Sequence, residues 1–235
     1  MPLTALLDGA VLAEKTGADP RILALHGWAR TRADWLPALS GRPALAVDLP
    51  GFGASPPPTS GWGSREYAQL LAPLLVDGGW TVAGHSFGGR VAVQLACGWP
   101  ELVSKVVLTG VPLLRPIGSS KAPLAFRLAK KAHALGVLSD ARMERQRRAR
   151  GSADYRAAEG VMRDTLVRLV NEDYRDLLPG IVAPVELVWG AHDTAAAVGM
   201  AREASELFAK ATLTVSESSG HLLDEALYAL LRERL

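Results

Sequence analysis

Short apolar runs alternate with amphipathic stretches along most of this chain. Runs at residues 3–7 and 11–14 flank Asp8-Gly9, a hairpin-type turn. Residues 21–25 form a buried-strand run that ends in His26-Gly27. Residues 43–47 form another, followed by Asp48-Leu49-Pro50-Gly51-Phe52-Gly53. Further runs occupy 80–83, 105–109, 185–189 and 212–215. Helical spacing fills 64–75, 88–97, 200–210 and 222–234. All-apolar strands of this length, alternating with amphipathic helices, predict an α/β fold with a mostly parallel central sheet covered by helices on both faces.

The alternation fails once, between Val111 and Pro184, where the chain is rich in Arg, Lys and Ala and has helical spacing without strand runs. Phe126, Leu128, Ala129 and Ala132 predict one helix there, and Val161, Leu166, Leu169 and Val170 another. The expected organisation is a core of residues 1–111 and 185–235, with residues 112–184 inserted as helices over the C-terminal edge of the strands.

Composition narrows the class without changing this picture. The chain has 235 residues, 49% hydrophobic and 21% charged, enough for one large α/β domain or a domain with an insertion. No apolar run reaches the roughly 18 residues that span a bilayer. Met1-Pro2-Leu3-Thr4-Ala5 carries no signal-peptide pattern, so the expected location is cytoplasmic. The single cysteine, Cys97, excludes an intramolecular disulfide and reads as a small buried side chain. Net charge is +2, which gives no reason to expect nucleic acid. Its distribution is uneven. Residues 113–180 carry 14 Lys and Arg against 8 Asp and Glu, a net of +6, and the remainder is net −4. Arg142, Arg145, Arg147, Arg148 and Arg150 form the densest basic cluster, either a solvated helix face or an attractant for anions.

Gly84-His85-Ser86-Phe87-Gly88 joins the apolar run at 80–83 to the helical stretch that follows. Gly-x-Ser-x-Gly between a strand and a helix is the pattern of a nucleophile elbow, in which flanking glycines allow a sharp, strained turn around the serine. Ligands of open parallel sheets sit beyond the strands' C-terminal ends. The run at 185–189 is followed by Gly190-Ala191-His192-Asp193, and that at 212–215 by Ser218-Ser219-Gly220-His221. A Ser, an Asp and a His therefore each follow a separate strand, in that order. No grouping of His, Asp and Glu has metal-ligand spacing, and Gly51-Phe52-Gly53 is not a complete dinucleotide-binding motif. No cofactor is expected.

These pieces, with His26-Gly27-Trp28 and residues 48–55, resemble the α/β-hydrolase superfamily over nearly the whole chain, in its serine-nucleophile, ester-cleaving branch with a helical cap. The resemblance implies Ser86 as nucleophile, His221 as general base and Asp193 as the acid that orients the imidazole. It places two backbone oxyanion donors at Trp28 and Phe87, whose side chains are then free to shape an acyl pocket. His85 is a further pocket-lining candidate. Residues 112–184 become a cap that encloses a small-molecule acyl substrate.

Other roles compete for the same residues. Asp193 also suits a helix N-cap before Thr194-Ala195-Ala196. Asp224 and Glu225 are rival acids that read as solvated helix residues. His85 and His192 can be structural, His26 can brace the oxyanion loop, and Asp48 can brace the loop after its strand. The same triad could act on a thioester, a lactone, an amide or the carbon–carbon bond of a diketone, and the fold could serve a non-catalytic receptor. Oligomeric state is not encoded in any of these signals.

Overall fold

The computed structural model describes residues 3–115, 139 and 153–235. The expected helix around Phe126–132 and the basic cluster from Arg142 to Arg150 lie outside the described residues. Strands β1 (Thr4–Leu6), β2 (Val11–Thr16), β3 (Ile22–Leu25), β4 (Ala44–Asp48), β5 (Trp80–His85), β6 (Val103–Thr109), β7 (Val185–Gly190) and β8 (Ala211–Ser216) form one sheet. Its order is β1-β2-β4-β3-β5-β6-β7-β8. The first two junctions are antiparallel and the other five parallel.

The parallel strands lack polar alternation because both faces are buried. Leu23 and Leu25 enter one core, and Ile22 and Ala24 enter the other. Val106 and Leu108 likewise face away from Val107, and Leu187 and Trp189 from Val188. Helices α2 (Ser64–Leu71), α3 (Phe87–Gly98) and α6 (Val198–Leu207) cover the first face through Tyr67, Val91, Leu95, Ala201 and Ala204. Helices α1 (Leu36–Leu39) and α7 (Glu225–Arg234) cover the second through Leu39, Leu227 and Leu231. Removing each such leucine from water contributes about 2 kcal/mol.

Several boundaries differ from the sequence pattern for identifiable reasons. The stretch predicted as one helix over 64–75 leaves the α-helix at Leu71 and continues as a 3-10 turn, where Pro73 cannot donate to the preceding carbonyls. Helix α7 begins at Glu225 rather than 222, because the Asp224 carboxylate accepts the Leu227 N–H and caps it. Asp224 is thus an exposed capping residue at the start of the helix rather than a residue within it. A short 3-10 segment (Arg32–Trp35) leads into α1, an element the apolar pattern did not announce.

From the region 112–184 the described part includes α4 (Ala153–Ala157) and α5 (Gly160–Leu169). Thr165 accepts the Trp62 N–H at 3.0 Å, and Leu166 and Leu169 are buried. Glu172 accepts the Ser64 N–H at 2.9 Å, so the returning chain is fastened to the start of α2. Among the described residues no helix is long and apolar enough to cross a membrane.

Candidate active site

β5 passes directly into α3 through Ser86, whose backbone sits at φ 50° and ψ −112°. A non-glycine residue in this region is strained, and the surroundings hold it there. The Ser86 N–H donates to the Thr109 carbonyl at 3.0 Å, and the Gly88 N–H donates to the His26 carbonyl at 3.0 Å. The flanking glycines are needed for close approach. A Cβ on Gly84 would lie 2.4 Å from the Gly89 Cα, and one on Gly88 would lie 2.3 Å from the Leu25 carbonyl oxygen.

Ser86, Asp193 and His221 meet beyond the ends of β5, β7 and β8. His221 Nδ1 lies 2.8 Å from Asp193 Oδ2, and His221 Nε2 lies 3.2 Å from Ser86 Oγ. A carboxylate only accepts, so Nδ1 carries the hydrogen and the Nε2 lone pair faces the serine hydroxyl. Asp193 is buried, and its other oxygen accepts the Ala195 and Ala196 N–H groups at 2.8 and 2.7 Å. Helix α6 starts only at Val198, so Asp193 fastens a turn rather than capping a helix.

The His221 loop is similarly tied. The His192 N–H donates to the Ser219 carbonyl, and Ser219 Oγ donates to Asp224 Oδ1 at 2.8 Å. Asp224 is therefore committed to its own loop, whereas Asp193 faces His221. His192 itself is exposed and takes part through its backbone.

Trp28 and Phe87 line one cavity of about 470 Å³ with His85, Ser86, Arg90 and His221. Phe87 is the first residue of α3, and an N–H at that position has no partner within the helix. The Trp28 N–H makes no backbone hydrogen bond to a described residue. The Trp28 and Phe87 rings stand 5.9 Å apart, with Phe52 packed 4.9 Å from Trp28 and Tyr67 5.0 Å from Phe87. Phe52 and Tyr67 escaped the sequence reading, because their meeting depends on contacts distant in sequence.

His26 and Asp48 hold the loop that carries Trp28. His26 Nδ1 donates to the Gly27 carbonyl at 2.7 Å, and Nε2 accepts the Leu49 N–H at 2.9 Å. The Asp48 carboxylate accepts from Arg32 backbone and side chain, at 2.8 and 2.6 Å, and from the Ala54 N–H at 2.9 Å. Cys97 is half-buried, with its thiol against the Leu177 carbonyl. Among the described residues no group of three or more His, Cys, Asp or Glu is placed to hold a metal ion.

His85 is buried beside His221, with ring centroids 5.0 Å apart. Its Nε2–H donates to the His221 backbone carbonyl at 2.9 Å, and its Nδ1 is buried without a hydrogen-bond partner. Desolvation, and secondly the neighbouring His221, push its pKa down from 6.5 to about 4. Desolvation also lowers that of His26. The unfolded chain therefore binds protons below pH 6.5 that the folded protein refuses. Stability should fall as pH drops from about 6.5 to 4, by about 3 kcal/mol from His85 alone. Urea midpoints at pH 7, 5.5 and 4 check this. His85→Gln, which retains a donor for the His221 carbonyl, should reduce the loss, and a flat profile in the native protein would contradict it.

Residues 22–229 match the model of the alpha/beta hydrolase family. An esterase of Mycobacterium tuberculosis is 38% identical over 110 residues, 44% of this chain and 37% of that protein. A pimeloyl-[acyl-carrier protein] methyl ester esterase of Nitrosomonas europaea is 38% identical over 106 residues, 40% of this chain and 38% of that protein. The matches thus span little more than a third of these relatives' lengths. An esterase structure from Exiguobacterium antarcticum superposes with a TM-score of 0.72 at 20% identity, covering 99% of this chain and 96% of that one. The chain belongs to the alpha/beta hydrolase family.

Proposed function

We propose that this member of the alpha/beta hydrolase family is a serine hydrolase that cleaves carboxylic esters through an acyl-enzyme. The observation that carries this is the continuous hydrogen-bond chain from Ser86 Oγ through His221 to Asp193. In the acylation step, Ser86 Oγ bonds to the ester carbonyl carbon as its proton passes to His221 Nε2. The resulting imidazolium is stabilised by Asp193. The Trp28 and Phe87 N–H groups hold the oxyanion, and a donor of this kind is worth roughly 3 kcal/mol in the transition state. The tetrahedral intermediate collapses, His221 returns the proton to the leaving alkoxide, and water repeats the sequence on the acyl-enzyme. Residues 112–184 are assigned as the cap, because α5 reaches the cavity through Leu166 and Leu169. The named esterase relatives support ester hydrolysis in general.

A panel of matched butyryl esters, thioesters, amides and γ-lactones tests the bond type, with Ser86→Ala as background. The ester should give the largest kcat/KM. Turnover of no ester above the variant's background, or a thioester or lactone preferred by about a hundredfold, would overturn the assignment.

A further inference from the structure

Arg90 is a lone charge at the start of an apolar helical run, between Gly89 and Val91-Ala92-Val93. It is only 9% exposed. It follows Ser86 by four residues, so its Cα lies about 6 Å further along the α3 axis. Helical side chains lean toward the N-terminus, which carries the guanidinium back toward the serine. Arg90 lines the cavity containing Ser86 and His221. It also lines a neighbouring cavity of about 480 Å³ that includes Leu114, Met200 and Glu203. It therefore stands where the two cavities meet.

Among the described residues, its partners leave the charge unmatched. Nη1 donates to the Leu169 carbonyl, and Cζ lies 5.9 Å from the centre of the Tyr174 ring. Among the described residues Arg90 forms no ion pair. Of the acids around the two cavities, Glu172 and Glu203 have other commitments. Glu172 accepts from the Ser64 N–H and the Tyr174 hydroxyl, and Glu203 pairs with Arg175 at 2.7 Å. Asp154 lines the first cavity without pairing to Arg90. Arg30, the other arginine among the described residues that line that cavity, is paired with Asp34 at 2.6 Å. A guanidinium does not shed its proton, and a buried charge without a counter-ion is unfavourable. With Nη1 occupied, Nε–H and Nη2–H have no hydrogen-bond partner among the described residues, and they are two parallel donors that match the oxygens of one carboxylate.

The geometry points to Arg90 as the anchor for a carboxylate carried by the substrate. The preferred substrates are then short esters bearing a carboxylate a few carbons from the scissile bond, such as half-esters of dicarboxylic acids. This rests on the serine hydrolase assignment above. The ester carbonyl sits at Ser86, the carboxylate on the Arg90 fork, and the intervening carbons against Leu166 and Leu169 of α5. A carboxylate on the alcohol side would use the same anchor in the opposite orientation.

Matched pairs that differ only at this group provide the test. Monomethyl glutarate is compared with its half-amide methyl ester, and 3-acetoxypropionate with 3-acetoxypropionamide, at low and high salt. The carboxylate member of at least one pair should be favoured by about tenfold or more in kcat/KM, and the favoured pair identifies the side of the ester that bears it. Arg90→Met should bring this ratio to about one, and Arg90→Lys should retain only part of it. A ratio within threefold for both pairs in the native protein overturns the anchor, as does an undiminished ratio in folded Arg90→Met. Should the methionine variant not fold, inhibition of the native enzyme decides. Competitive inhibition by glutarate but not glutaramide supports the anchor, and equal inhibition or none rejects it. Phosphonylation of Ser86 without any charge preference would reject the anchor and retain the hydrolase. Arg90-dependent glutarate binding by calorimetry, with neither labelling nor turnover, would do the reverse.

Discussion

Replacing Ser86 by alanine is expected to lower kcat for ester hydrolysis by about 10⁵- to 10⁶-fold, or about 7–8 kcal/mol of barrier. The size follows from what the hydroxyl supplies. It is the atom that would bond to the acyl carbon, and its proton is the one His221 Nε2 is placed to take at 3.2 Å. Alanine retains the Cβ and the backbone hydrogen bond from residue 86 to the Thr109 carbonyl, so the elbow persists. The melting temperature should move by only a few degrees, because one partly exposed hydrogen bond is lost. Substrate binding should survive, since the cavity and both proposed oxyanion N–H groups remain. A residual rate of about 10³–10⁴ over water is expected from these groups alone. A variant retaining more than about a hundredth of native kcat would show that Ser86 is not the nucleophile.

Asp193→Asn should cost about 10⁴-fold in kcat, and the structure explains why so small a change is so damaging. One oxygen of Asp193 accepts two backbone N–H groups, from Ala195 and Ala196. An asparagine must present its carbonyl oxygen to those donors, which turns its NH₂ toward His221 Nδ1. The imidazole can then only accept at Nδ1, which moves its hydrogen to Nε2. In that tautomer Nε2 has no lone pair for the Ser86 proton. Activity should recover partly at high pH, where hydroxide replaces the lost base. Asp193→Ala should be less stable as well as inactive, because it also releases the turn at Ala195 and Ala196. Asp224→Ala provides the contrast. Asp224 caps α7 and holds Ser219, so its loss should lower stability by about 1 kcal/mol and leave most of kcat. If the asparagine at 193 were nearly as active as the native enzyme, the acid of the triad would have to lie elsewhere.

The strands were legible because burial on both faces removes polar residues from them. Leu23, Ala24 and Leu25 read as one apolar run, although they serve opposite cores. Strand ends were less legible. β5 extends through Gly84 and His85 because its backbone pairing continues opposite Leu108 and Thr109, and pairing leaves no side-chain pattern. The candidate triad could be read because each member lies at the end of its strand or in the short loop that follows it. Its surroundings could not. Arg90 meets a carbonyl 79 residues away, and Phe52 meets Trp28 across two strand–loop junctions. The dual attachment of Asp193 was half legible. Its affinity for nearby N–H groups suggested a helix cap, but the helix begins two residues after the turn it holds.

The most direct measurement is reaction of the folded protein with a fluorophosphonate, followed by intact mass and peptide mapping. One adduct per chain, on Ser86, lost in Ser86→Ala and greatly slowed in His221→Ala, is the expected result. A folded protein that takes no label, or takes it on a residue other than Ser86, would contradict a catalytic triad of Ser86, His221 and Asp193.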